Sequence, residues 1–187
     1  MTNKIAIIIG NGTSRKDIDL ERLVGQGTIY GCNALYRDFD GYDHLVAIDD
    51  GMIEEIKDNP KALIPPVDER YESSDYNPFA RRRSNAGMNA MYEAIKAGHD
   101  TLYCIGFDFF LEGDISVDNI YKDTQNYGPE THANMSDNWN RVRYLDWFTS
   151  QFPEVNFVFV IPDDAEHKSL EGDNIIGMTV STFINKL

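Results

Sequence analysis

Lys4-Ile5-Ala6-Ile7-Ile8-Ile9-Gly10-Asn11-Gly12-Thr13-Ser14 reads as a buried strand running into a tight turn. An apolar run without alternation, closed by glycine, is the pattern of a parallel strand covered on both faces. Gly10-Asn11-Gly12-Thr13-Ser14 is the turn, and Ser14 with Asp17 three residues on resembles a helix cap with an acid in the first turn.

Outward from this stretch, apolar runs at 28–33, 44–49, 62–64, 101–106 and 155–161 are further strand candidates. Residues 34–40 read as a short helix or loop, and 51–58 as a helix stopped by Asn59-Pro60. Residues 84–97 carry a helical stripe in which Met91, Ala94, Ile95 and Gly98 recur at i, i+3, i+4 and i+7. Residues 138–152 set Trp139, Val142, Leu145, Phe148 and Phe152 on one side of another helix, and the tail 174–187 reads as helical. Two long polar segments, 67–83 and 108–137, are candidates for functional loops. Strands joined by helix-length crossovers predict an α/β fold: one Rossmann-like domain over residues 1–187, with a mainly parallel sheet and helices on both faces.

The net charge of −14 argues against a nucleic-acid wrapper, which needs a cationic footprint. It leaves room for a small anion, which requires only a local positive field. No apolar run approaches the roughly 20 residues that span a bilayer, and the opening run is too brief for a signal peptide. Two cysteines, Cys32 and Cys104, in apolar surroundings are expected to be buried and free, which points to the cytoplasm.

Ligands of open α/β sheets bind beyond the carboxyl ends of the strands. Those ends carry Gly10-Asn11-Gly12-Thr13-Ser14, Cys32-Asn33, Asp49-Asp50, Gly106-Phe107-Asp108 and Pro162-Asp163. Gly10 and Gly12 would admit an anion close to the backbone, Asn11 offers an amide, and Thr13 and Ser14 offer hydroxyls near a helix start. Arg81-Arg82-Arg83 is the one dense basic cluster; Arg81 and Arg83 are candidates for clamping phosphate, the alternative being a solvated face. His132, in a polar loop, is the candidate general base. His99, just past a helix end, is expected to satisfy terminal carbonyls. Asp49-Asp50 and Asp163-Asp164 could hold magnesium together with phosphate oxygens. The histidines and cysteines show no metal-cluster spacing.

In order and spacing these motifs resemble the bacterial lipooligosaccharide sialyltransferases. The matching residues are the 10–14 turn with Lys16-Asp17-Ile18-Asp19 and Arg22-Leu23, then Cys32-Asn33. Ala86-Gly87 and Ala94-Ile95-Lys96-Ala97-Gly98 follow, leading to Tyr103-Cys104-Ile105-Gly106-Phe107-Asp108-Phe109. The resemblance implies that Asn11, Ser14 and Asn33, with Gly87 and Asp108 nearby, meet a cytidine nucleotide sugar, and that His132 deprotonates an acceptor hydroxyl. Phe110 and Ser116 stand about where that family has tyrosines for the leaving phosphate, so Tyr121 or Tyr127 would have to serve. Asp49 stands where the family has asparagine, and in this it is similar to a related branch of 6-hydroxymethylpterin diphosphokinase-like proteins and motility-associated glycosyltransferases.

Three functions follow: a glycosyltransferase-like enzyme with a nucleotide-sugar donor and an unspecified acceptor; a magnesium-dependent diphosphokinase-like transferase using Asp49 and Asp108; and a non-catalytic nucleotide binder. The aromatic-rich polar loops could also pack against a second copy.

Overall fold

Ile5–Ile9 (β1), Thr28–Cys32 (β2), His44–Val46 (β3), Ala62–Leu63 (β4), Thr101–Ile105 (β5), Asn156–Ile161 (β6) and Ile175–Thr179 (β7) make one sheet in the order β4-β3-β2-β1-β5-β6-β7. Every pairing is parallel. The computed structural model describes residues 4–70 and 85–187. Arg81 and Arg83 lie outside the described residues.

The helices are Asp50–Ile56 (α1), Ala86–Lys96 (α2), Met135–Ser150 (α3) and Val180–Lys186 (α4). They divide between the two faces, and the strands alternate accordingly. Ala6, Ile8, Leu102, Cys104, Phe157 and Phe159 pack with α2 and α3 residues such as Met91, Leu145 and Phe148. Ile7, Ile9, Tyr103, Ile105, Val158 and Val160 pack with Met52 and Ile56 of α1 and Val180 and Phe183 of α4. This two-sided burial explains why the β1 run shows no polar alternation. Cys32 and Cys104 are buried and free. No helix among the described residues is long and apolar enough to cross a membrane.

Three sequence expectations change. The tail is not all helix: Ile175–Thr179 is the edge strand β7, and only after the Thr179 side chain caps Thr182 does α4 begin. Its β-branched and apolar residues extend the sheet beside Phe157–Ile161, a gain that helix propensity does not offer. The helix expected from residue 138 starts at Met135, because Asn134 and Asp137 form a reciprocal capping box. The turn after β1 opens no regular α-helix: Thr13–Asp17 is a short 3-10 segment with no side-chain cap at Gly12.

The polar segment 108–137 holds three 3-10 turns, Asp108–Phe110, Asp114–Val117 and Pro129–Thr131. His99 meets the end of α2 through its backbone, its N–H donating to the Ala94 carbonyl at 3.1 Å, while its ring Nδ1 is buried without a partner. Asp163 accepts from the Ser181 amide and hydroxyl at the start of α4.

Candidate functional site

β1 is the strand at which the winding of the sheet reverses, with β2 on one side and β5 on the other. Loops leaving β1 and β5 therefore part at their carboxyl ends and open a crevice. A cavity of about 640 Å3 occupies it, lined by Gly10, Asn11, Gly12, Cys32, Asn33, Asp49, Gly87, Gly106, Phe107 and Asp108 from the strand ends and the start of α2. Ser116, Asp118, Asn119, Lys122, Asn126, Tyr127, Glu130, His132 and Arg141 are among the other residues that line it. The volume is that of a small-molecule site, roughly 300–1,000 Å3.

The glycine turn is fixed by its own structure. Gly10 N–H donates to the Ile105 carbonyl at 2.8 Å and Gly12 N–H to the Gly106 carbonyl at 2.9 Å. A Cβ on Gly10 would stand 2.6 Å from the Gly106 oxygen, and one on Gly12 would stand 2.5 Å from an Asp108 carboxylate oxygen. Both glycines thus permit the β1 and β5 ends to touch. Ser14 donates its backbone N–H to Asp108 at 2.9 Å and its hydroxyl to the other oxygen, and Thr13 Oγ1 lies 3.5 Å from the same carboxylate.

Thr13 and Ser14, expected on a phosphate, are therefore turned to Asp108 and do not line the cavity. Asp108 is buried; burial raises its carboxyl above the ordinary range, and the Ser14 and Thr13 donations oppose that rise. Gly87 also serves close packing, since a Cβ there would lie 2.5 Å from the Phe107 ring.

Asn11, Asn33 and Tyr127 converge. Asn11 Nδ2 donates to the Tyr127 hydroxyl oxygen at 3.2 Å. Burial pushes the phenol up to about 12, against the lowering influence of the neighbouring Asn33, Ala34 and Asn11. Tyr127 therefore stays protonated near neutrality, with its oxygen occupied as an acceptor and its proton free to be given to a ligand. Asn33 holds a left-handed backbone, φ 51°, which asparagine tolerates better than most residues. The Oδ1 atoms of Asn11 and Asn33 are both buried without a partner. Buried carbonyls left unpaired call for a donor from a ligand or water.

Sequence reasoning left the choice between Tyr121 and Tyr127 open. Tyr121 is turned away: its hydroxyl donates to Asp38 and accepts from Arg15 at 2.8 Å, and burial leads the causes that raise its phenol well above the usual range. Buried Arg15 also pairs with Asp38 at 3.1 Å. Arg37, ion-paired to Glu55, donates to Thr124 Oγ1 at 2.8 Å and to the Gln125 carbonyl at 3.0 Å. Asn126 Nδ2 reaches Glu55 at 2.6 Å. The loop carrying Tyr127 is therefore tied to the elements that follow β1, β2 and β3. No motif marks this anchoring; the one local signal is Asp123 and Asn126, both at φ 64°, residue types that accept such backbone.

His132 lines the cavity, its Nε2 3.1 Å from an Asp123 carboxylate oxygen. Cations lining the same cavity are Lys122, which pairs with Asp118 at 3.1 Å, and Arg141, whose Nη1 donates to Asn138 at 3.1 Å. Asp49 sits on the opposite strand end; burial raises its carboxyl, Arg70 lowers it and Asp50 raises it. Among the described residues no three of His, Cys, Asp and Glu gather as a metal site, and Asp108 is taken up by Ser14. Asp49 and Asp108, the two carboxylates named for magnesium, both line the cavity, Asp108 accepting from Ser14 at the same time. No family model matches this chain, and no curated protein does.

Proposed function

We propose that the chain is a glycosyltransferase-like enzyme that takes its sugar from a nucleotide donor, a cytidine nucleotide first among them. The observation that carries this reading is that one cavity holds both a protonated phenol at the strand ends and a carboxylate-paired imidazole. Transfer between oxygens needs those two groups: one to receive the acceptor's proton, one to stabilise the departing phosphate.

The partnerless Oδ1 atoms of Asn11 and Asn33 suit a ligand rich in donors, such as ribose hydroxyls or an exocyclic amine. The acceptor hydroxyl gives its proton to His132 while its oxygen attacks the anomeric carbon. The bond from that carbon to the nucleotide phosphate breaks, its electron pair leaving with the phosphate. The Tyr127 hydroxyl, with Lys122 and Arg141 lining the same cavity, donates to the oxygen that becomes negative.

Turnover of a nucleotide-sugar panel, followed by release of free nucleotide, tests this. His132→Ala is expected to lower kcat by roughly 10²–10⁴-fold, the range for loss of general-base catalysis. Undiminished turnover in that variant removes His132 from the mechanism.

A further inference from the structure

His132 has two ring nitrogens, and only the unprotonated one can take a proton. Which one that is follows from what the other nitrogen touches. Nε2 stands 3.1 Å from Asp123 Oδ1, and a carboxylate can only accept. A neutral ring that gives a proton to this carboxylate must carry it on Nε2, which leaves the lone pair on Nδ1.

The Asp123 backbone is firmly set, while its side chain is 63% exposed. Its backbone is left-handed, φ 64°, and its N–H donates to the Tyr127 carbonyl at 2.8 Å, closing a loop whose Tyr127 N–H returns to the Thr124 carbonyl at 2.9 Å. Arg37 holds that loop from outside at Thr124 and Gln125. The carboxylate facing His132 and the phenol facing the strand ends thus stand on one anchored loop, four residues apart in sequence.

Resting on the transfer reading above, we propose that Asp123 is a positioning residue that fixes His132 as its Nε2–H tautomer, making Nδ1 the atom that takes the acceptor's proton. Asp123 touches no reacting atom. It orients the ring, and the anchored loop sets where the base stands relative to the leaving-group donor.

Nitrogen NMR of the full chain labelled with 15N-histidine tests this without turnover, the His132 signals being assigned by their loss in His132→Gln. At a pH where the ring is neutral, wild type is expected to show protonated Nε2 and bare Nδ1. Asp123→Asn keeps a left-handed turn but offers an amide that either accepts or donates, so the tautomers should mix. Asp123→Gly also keeps the turn, deletes the carboxylate, and should mix them further. Unchanged tautomers in both variants overturn the proposal, as does protonated Nδ1 in wild type. With a turned-over donor, Asp123→Asn should lower kcat roughly tenfold or more with KM nearly unchanged; full kcat alongside mixed tautomers also overturns it. A wild type that turns over no donor sinks the transfer reading alone, since the spectrum still judges the pairing.

Discussion

Two loops meet where the Asn11 amide donates to the Tyr127 hydroxyl, and they use their polar groups in opposite ways. The 10–14 turn looks like a phosphate cradle, yet the amides of Gly10, Gly12 and Ser14 and the Ser14 hydroxyl are all bonded within the protein. The 121–127 loop has no recognisable motif, yet it supplies the phenol in the cavity and the carboxylate behind His132. A glycine-rich turn at a strand end can thus exist to let two backbones touch, while the cavity's phenol and the carboxylate beside His132 come from a loop held by arginines.

Breaking the first loop should damage the fold more than the site. Gly10→Ala drives a Cβ against a backbone carbonyl that cannot move aside, and is expected to destabilise by about 3 kcal/mol. Thermal unfolding should fall by roughly 6–12 °C for a domain of this size. Asp108→Ala leaves the Ser14 and Thr13 donors without their acceptor and should destabilise by roughly 2–3 kcal/mol, read as a lower denaturant midpoint at unchanged slope.

The same carboxylate gives a pH signature. Because burial raises it, the folded protein holds its proton more tightly than the unfolded chain, so its stabilising contribution is complete below its ordinary value of 3.8. That contribution is lost as pH rises through the raised value. The stability advantage of wild type over Asp108→Asn should therefore be greatest below the ordinary value and shrink as pH rises through the raised one. A constant difference would contradict the assignment.

Breaking the second loop should do the reverse. Tyr127→Phe is expected to lower kcat by roughly 10²-fold while destabilising by only about 1 kcal/mol, since the Asn11 amide loses its acceptor at the edge of a cavity. Arg37→Ala should have the smallest effect, about 1 kcal/mol of stability for a partly exposed ion pair. It should also bring faster amide exchange at 124–127 than at 10–14.

The sheet was legible because its central strands are continuous apolar runs, as at Ile5–Ile9 and its neighbour Thr101–Ile105, although such runs do not set the register between them. β7 was not, since Ile175-Ile176-Gly177-Met178 is too short and glycine-broken to separate from a helix start by periodicity. The α3 start is encoded in Asn134 and Asp137, whose spacing is that of a capping box, but the apolar stripe begins only at Trp139. At the site, the strand-end positions of Asn11, Asn33, Asp49 and Asp108 follow from topology. The direction of a side chain does not: nothing local says that Ser14 turns to Asp108, or that Arg15 is buried beneath Tyr121.

The most direct test of a nucleotide site at the β1–β5 crevice is thermal unfolding of wild type and Asn33→Ala against cytidine, uridine, guanosine and adenosine mono-, di- and triphosphates, with and without magnesium. A ligand at one hundred times its Kd stabilises by about 2.7 kcal/mol, roughly 5–10 °C here. The expected result is a shift of that order with cytidine mono- or diphosphate, independent of magnesium and much reduced in Asn33→Ala. No shift with any nucleotide, or an equal shift in the variant, would contradict the assignment of this cavity.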